Sequence, residues 1–290
     1  MLKNSSDLSP GLYVVSVPIG NLEDITLRAL NCLKQVSKIY CEDTRSTRKL
    51  LSLYNIAPPE MVRCDDHYED KNIALIKDDI QAGKAVALLS DAGTPLISDP
   101  GYRILSALRE QDLPIIPIPG VCAAIAAISV SGLPSDRFIF LGFPPKKTKA
   151  KYDFLKKNLH TGLCHIFYER AERIGDLCEY LQDHFPTSEI VIGRELTKKF
   201  EEFIKGTPSK ILEHLKMRSL KGETVICVYI KETEKHMSEQ DMQAFIDDSF
   251  KKLMSVKDIA QALSERTDIS KKELYKIIQD QKDNYTKSPE

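Results

Sequence analysis

At 290 residues, with 42% hydrophobic and 29% charged side chains, the chain has an ordinary globular composition and the length for roughly two domains. A net charge of −1 excludes a uniformly basic nucleic-acid binder but leaves room for local basic patches. Seven cysteines, odd in number and without a CxxC pair, suit small core residues in a reducing compartment, not a disulfide framework or a structural zinc site.

In chain order, the first ten residues are polar and lack the apolar core of a signal peptide. Residues 13–17, 38–41, 86–89 and 115–118 read as strands, and 25–36, 46–54, 70–82 and 102–111 as amphipathic helices. That alternation predicts βαβ units on a mostly parallel sheet. The uncharged stretch 113–135 is long enough to cross a bilayer, but Pro114, Pro117, Pro119 and Gly120 confine any continuous helix to 121–130. A buried core helix is expected there, and no membrane span. A break falls at 142–151, where two prolines are followed by four lysines, a composition unsuited to a core. Beyond it, 165–168, 189–193, 200–204 and 224–230 read as strands, with helices at 171–184 and 209–215. From about Ser238 the strand signal ends, and 256–265 and 271–280 predict two short helices capped by Ser255 and Ser270. The predicted organisation is an α/β unit over 1–119, a second over 120–237 and a helical appendage over 238–290.

The usual nucleotide and hydrolase signatures (G-x-G-x-x-G, the Walker lysine motif, G-x-S-x-G, H-E-x-x-H) are missing, and the six histidines lack metal-ligand spacing. Four segments at strand exits carry the chemistry instead. Pro18 and Gly20 let the chain leave the first strand abruptly. At the second exit Glu42, Asp43, Arg45 and Arg48 crowd a short loop, where the acids could supply a general base and the arginines grip a phosphate. The alternative there is a helix cap by Thr44 or Ser46. The most informative exit is 90–101, which carries Asp91, Gly93, Thr94 and Ile97 and follows a buried apolar run. In an open α/β sheet, ligands settle at such loops. Pro119 and Gly120, then Val121 and Cys122, open an alanine-rich helix. Tyr168 ends a strand of the second unit beside charges, where it could stack on a base. Each segment also reads as plain turn or packing chemistry. Together they suggest a cleft shared by two α/β units.

The ordered segments VPIGNLEDITLRAL, EDTRSTRKLL, SDAGTPLISDPGYR, IPIPG, SGLPSDRFIFLGFPP, YE and ELTKKFEE resemble the tetrapyrrole methylase superfamily. Within it they are closest to the branch that methylates a cytidine 2′-oxygen in the 16S RNA of the small ribosomal subunit. The resemblance implies two α/β domains with S-adenosylmethionine in the cleft between them, a homodimer and a cytoplasmic enzyme. It places cofactor contacts on Pro18 and Gly20, on Asp91, Gly93, Thr94 and Ile97, on Val121 and Cys122, on Tyr168, and on Gly222 and Thr224. Two departures matter. The family's P-G-P-S-A is Pro119-Gly120-Val121-Cys122-Ala123 here, and its Y-E-S-P-H-R is Tyr168-Glu169-Arg170-Ala171-Glu172-Arg173.

Methyl transfer to a ribose hydroxyl is mainly a positioning task, with a base to take the proton. Asp43 or Glu42 is expected to be that base, and Arg45 and Arg48 to hold the flanking phosphate. The stretch 146–157 has a formal charge of +5, and Lys146, Lys147, Lys149 and Lys151 are expected to contact RNA. Lys271, Lys272 and Lys276 of the tail are a second basic surface. No metal is expected. A tetrapyrrole-type small-molecule methylase, or a cofactor-binding protein without catalysis, are the competing readings.

Overall fold

The computed structural model describes residues 8–65, 67–232, 237–264, 266–267 and 269–285. The expected end of the first tail helix at Glu265, and Asp268 in the linker after it, lie outside these residues, as do the first seven positions. The chain divides into two compact units, 1–231 and 232–290.

The first sheet holds β1 (Gly11–Val15), β2 (Lys38–Cys41), β3 (Glu60–Arg63), β4 (Ala85–Leu89) and β5 (Ile115–Ile118). They are ordered β3-β2-β4-β1-β5 and every pairing is parallel. Helices α1 (Leu27–Gln35), α2 (Thr44–Leu53), α3 (Glu69–Gln81) and α4 (Tyr102–Arg109) connect them. The period of two along each strand decides which core a side chain enters. Leu12, Tyr40, Val86 and Leu88 pack on one face, and Tyr13, Val15, Ile39, Cys41, Ala87 and Leu89 on the other. Pro117 is tolerated because β5 is an edge strand, paired only with β1, where a missing N–H costs no inner ladder bond. The short strand β3 was not expected from sequence; its pattern is exposed at both ends and carries little apolar signal.

The second sheet has a different logic. Helix α5 (Ala123–Val130) leads to β6 (Phe138–Phe140), α6 (Thr148–Asn158), β7 (Leu163–Arg170), α7 (Ile174–His184), β8 (Glu189–Arg194), β9 (Glu202–Gly206), α8 (Pro208–Met217) and β10 (Glu223–Ile230). The order is β6-β7-β10-β8-β9, with only β6 and β7 parallel. Although α5 follows β5 in the chain, it sets Ala124, Ala127 and Ile128 against Ile166, Val191, Val225 and Cys227 of this second sheet. The buried core helix expected over 121–130 is buried on one face only: Ala124, Ala127 and Ile128 are buried, while Ile125 and Val130 are exposed. Phe167, Ile192, Ile226 and Val228 meet α7 on the opposite face.

A second correction concerns 142–151. The lysine-rich stretch expected as a solvated break enters α6, and Lys151 is fully buried. It shares the inner face of the helix with Leu155, four residues on.

In the 232–290 unit, α9 (Glu239–Lys251), α10 (Val256–Ser264) and α11 (Lys271–Tyr285) enclose Ile246, Ile259, Leu263, Leu274 and Ile278. Helix α9 was not anticipated. Ser255 and Ser270 lie at the starts of α10 and α11, and their hydroxyls accept the Asp258 and Glu273 N–H groups at 3.2 and 3.3 Å. Among the described residues no helix is long and apolar enough to cross a membrane.

Candidate active site

The carboxyl ends of the parallel strands are bound to one another through short-range contacts. Val17 and Gly93 exchange backbone hydrogen bonds of 2.8 and 3.0 Å, joining the exits of β1 and β4. Thr94 Oγ1 donates to the Val121 carbonyl at 2.9 Å and lies 2.9 Å from Ser16 Oγ, which brings in the exit of β5. Gly120 is required by this closeness, since a Cβ there would sit 2.7 Å from that of Ser16. Gly20 plays the same part toward the second sheet: its Cβ would fall 2.5 Å from Lys198 Cγ. The turn after β1 is therefore pressed onto the loop after β8.

Between the two sheets lies a cavity of about 440 Å³. Glu42, Asp91, Gly93, Thr94, Ile97 and Cys122 line it from the first sheet and the start of α5. Tyr168 and Thr224, with Glu169, Arg170, Lys198 and Glu223, line it from the second. Eight residues singled out from sequence thus meet in one cavity. Others shape its walls without lining it. Pro18 is buried in the β1 turn, Val121 supplies the carbonyl bound by Thr94, and Gly222, at φ 103°, lies where a Cβ would meet the Glu195 carboxylate at 2.6 Å.

Tyr168 is held more firmly than a free stacking face. Its hydroxyl accepts the Ala124 N–H at 3.1 Å and lies 3.8 Å from Cys122 Sγ, while its ring meets Phe140 and Phe143 edge-on. Burial, above all, pushes its phenol well above the ordinary range. The aromatic group exposed at this cluster is Phe143, 62% accessible and part of the cavity lining.

The acidic loop after β2 sorts itself by geometry. Asp43, rather than Thr44 or Ser46, caps α2: its Oδ1 accepts the Arg45 N–H at 2.7 Å. Asp43 does not line the cavity; Glu42 does. Arg45 and Arg48 are exposed, three apart on the first turns of α2. The Asp91 carboxylate accepts the Asp43 backbone N–H, yet burial raises its pKa and the Asp43 charge adds to that rise. Asp99, which sequence reasoning left unassigned, also lines the cavity. Burial lifts its carboxyl to about 6; a hydrogen bond with Ser90 opposes the rise, and the charges of Glu42 and Asp91 reinforce it.

The lysines divide. Lys146, Lys147 and Lys149 are exposed at the start of α6, as a phosphate contact needs. Lys151 is not available for RNA. Its ammonium lies 3.4 Å from Glu169 and 3.2 Å from Asp176, and donates to the Arg173 carbonyl. Arg173 in turn reaches Glu169 at 3.3 Å and the Pro145 carbonyl. A buried ammonium is tolerable only with such partners, and here they fasten α6 to the end of β7, beside Tyr168. No spacing rule in the run distinguishes Lys151 from its neighbours except its i,i+4 relation to Leu155. Among the described residues no cluster of His, Cys, Asp and Glu could hold a metal.

A cavity at the carboxyl ends of a parallel sheet, closed by a second mixed sheet, is where an open α/β fold takes a small ligand, and the chain's family says which. The chain belongs to the tetrapyrrole (corrin/porphyrin) methylases, whose family model matches residues 11–212. It is 39% identical over 277 residues to Ribosomal RNA small subunit methyltransferase I of Rickettsia prowazekii (strain Madrid E), covering 95% of this chain and 98% of that one. Over 216 residues it is 44% identical to the protein of the same name from Hydrogenobaculum sp. (strain Y04AAS1), across 74% and 94% of the two chains. In fold it is similar to uroporphyrin-III C-methyltransferase of Thermus thermophilus in complex with S-adenyl homocysteine, with a TM-score of 0.52, 18% identity, and coverage of 76% and 97%. The chain is a methyltransferase of the family its motifs resemble.

Proposed function

We propose that this S-adenosylmethionine-dependent enzyme methylates small-subunit ribosomal RNA, at the 2′-oxygen of a cytidine. The observation that carries the reading is the shared cavity. It joins Glu42, at the root of the exposed Arg45–Arg48 pair, to Thr94, Cys122, Tyr168 and Thr224 on the facing walls.

The cavity suits such a cofactor. Its volume of about 440 Å³ falls in the range of small-molecule sites. At the start of α5, which borders the cavity, the Cys122 side chain makes no capping bond and Tyr168 takes the Ala124 N–H. Glu42 and Asp91 give the lining an acidic character that suits a cation. Thr94, Ile97, Cys122, Tyr168 and Thr224 would hold the cofactor, with Asp91 and Gly93 beside them and Pro18, Gly20, Val121 and Gly222 fixing the wall. When bound, S-adenosylmethionine supplies a methyl group activated by a positively charged sulfur.

The chain's own residues supply position and charge. Arg45 and Arg48 grip a phosphate next to the reacting ribose, while Lys146, Lys147 and Lys149 engage phosphates further along the strand. Those three lysines stand at the start of α6, the positive end of the helix, so a phosphate there relieves unfavourable charge. Lys271, Lys272 and Lys276 are exposed on α11 and give the tail a basic surface of its own. The chain acts in the cytoplasm as a homodimer.

The test is methyl transfer from labelled S-adenosylmethionine to small ribosomal subunits that lack the native mark, followed by nucleoside analysis. 2′-O-methylcytidine is the expected product. Incorporation into a tetrapyrrole but not into RNA would overturn the reading.

A further inference from the structure

We infer that Asp99 takes the proton from the reacting ribose hydroxyl, an assignment that rests on the methyl-transfer reading above. Asp99 belongs to the loop after β4, where Gly93, Leu96, Ser98 and Gly101 all have positive φ, at 74°, 73°, 69° and 126°. Leu96 and Ser98 pay a steric penalty for this, because residues with a Cβ seldom adopt that region. In this backbone Ile97, Ser98 and Asp99 all border the cavity. The loop thereby delivers a carboxylate to the same space as Glu42, Thr94 and Cys122.

Four nearby carboxylates have partners of their own. Asp43 caps α2, and Asp91 accepts the Asp43 N–H, a bond that favours its charged form. Glu169 is paired with Lys151 and Arg173, and Glu223 with Lys198 at 2.8 Å. The partner of Asp99 is the neutral Ser90 hydroxyl. The titratable groups that share its cavity are Glu42 and Asp91 from its own sheet, Cys122 from α5, Tyr168, Glu169 and Arg170 from β7, and Lys198 and Glu223 beyond them. Burial and the nearby acids keep the carboxyl of Asp99 at about 6, close to neutral pH, where a general base combines the ionised form with useful basicity. Glu42 contributes through its negative charge.

In the step itself the hydroxyl oxygen bonds to the methyl carbon as the carbon–sulfur bond breaks, its electron pair leaving on sulfur. The hydroxyl proton passes to the Asp99 carboxylate and from there to water. No other reactant is needed.

Asp99→Asn tests the assignment by three readouts. Single-turnover methyl transfer near neutral pH should fall about 100-fold or more. Cofactor affinity measured by calorimetry, without RNA, should stay within about threefold. The melting temperature should rise near pH 8 and that gain should shrink toward pH 4, because removing a carboxylate with a raised pKa relieves strain only where it is ionised. Asp99→Ala should lose the rate similarly and recover part of it with added formate. A rate retained by Asp99→Asn overturns the assignment, and so does a parallel loss of rate and affinity, which marks a binding contact. A wild-type enzyme that leaves no methyl on ribose overturns the reading itself, a result distinct from either.

Discussion

The two sheets reach the same cavity by different routes. In the first, all strands are parallel, so every carboxyl end faces one rim, and the loops after β2, β4 and β5 collect there. In the second, β7, β10 and β8 are antiparallel. The rim is therefore made by the end of β7 at Tyr168, Glu169 and Arg170, the start of β10 at Glu223 and Thr224, and Gly193 near the end of β8. The first wall is held by backbone bonds and the Thr94 hydroxyl, and the second by buried ions around Glu169. A parallel sheet thus makes a site from consecutive exits, whereas an antiparallel sheet must combine an exit with an entrance.

Breaking the ionic wall should have the largest effect. Lys151→Ala leaves Glu169 buried without its lysine and is expected to cost about 3–5 kcal/mol in urea unfolding, while Lys146→Ala stays within about 0.5 kcal/mol. Equal effects would erase the distinction drawn between neighbouring lysines.

The next largest effect separates the sheets by pH. His165 on β7 is buried, which pulls its pKa down to about 4, and its Nε2 accepts the His160 N–H at 3.0 Å, a bond the protonated ring cannot make. The unfolded chain binds the proton first, so stability is complete above about pH 6.5 and declines as pH falls toward 4, by the order of 3 kcal/mol. Asp99 on the other wall works with opposite sign: its raised pKa gives stability at low pH that is lost as pH climbs from about 4 through 6. Unfolding curves of His165→Gln across pH 4–8 should lack the acidic decline.

Thr94→Val sharpens the first wall. Removing the hydroxyl that binds the Val121 carbonyl is expected to cost about 1–2 kcal/mol and to weaken cofactor binding measured by calorimetry. The smallest structural effect belongs to the triple replacement of Lys146, Lys147 and Lys149 by Ala. Stability should be unchanged, while the slope of log RNA affinity against log salt becomes shallower by roughly 2, at about 0.7 per single-strand phosphate.

This asymmetry also explains what the sequence made legible. The strand-exit rule located the first wall well: Glu42, Asp91, Thr94, Ile97 and Cys122 all line the cavity. Alternation of apolar runs with amphipathic ones located most strands and helices of both α/β sets. It missed β3 and β6, which are short and only partly buried. Entrances to the second sheet were visible only through resemblance, since Gly222 and Thr224 precede or begin a strand. Composition misjudged Lys151, because a lysine run hides the one member whose helical phase turns it inward. Asp99 was hidden for another reason. An Asp before Pro-Gly looks like turn chemistry, and the left-handed conformations at Leu96 and Ser98 in the loop that leads to it leave no mark in the sequence.

The partly exposed thiol of Cys122 gives the molecule a built-in attachment point for an optical probe. The other six cysteines are buried, and Cys122 alone combines partial exposure with a place in the cavity lining. A thiol-reactive dye added to the native protein should therefore label a single position, at a speed set by how often that wall is uncovered. Any occupant of the cavity would slow the labelling in proportion to its residence, so binding can be timed without RNA, isotopes or turnover.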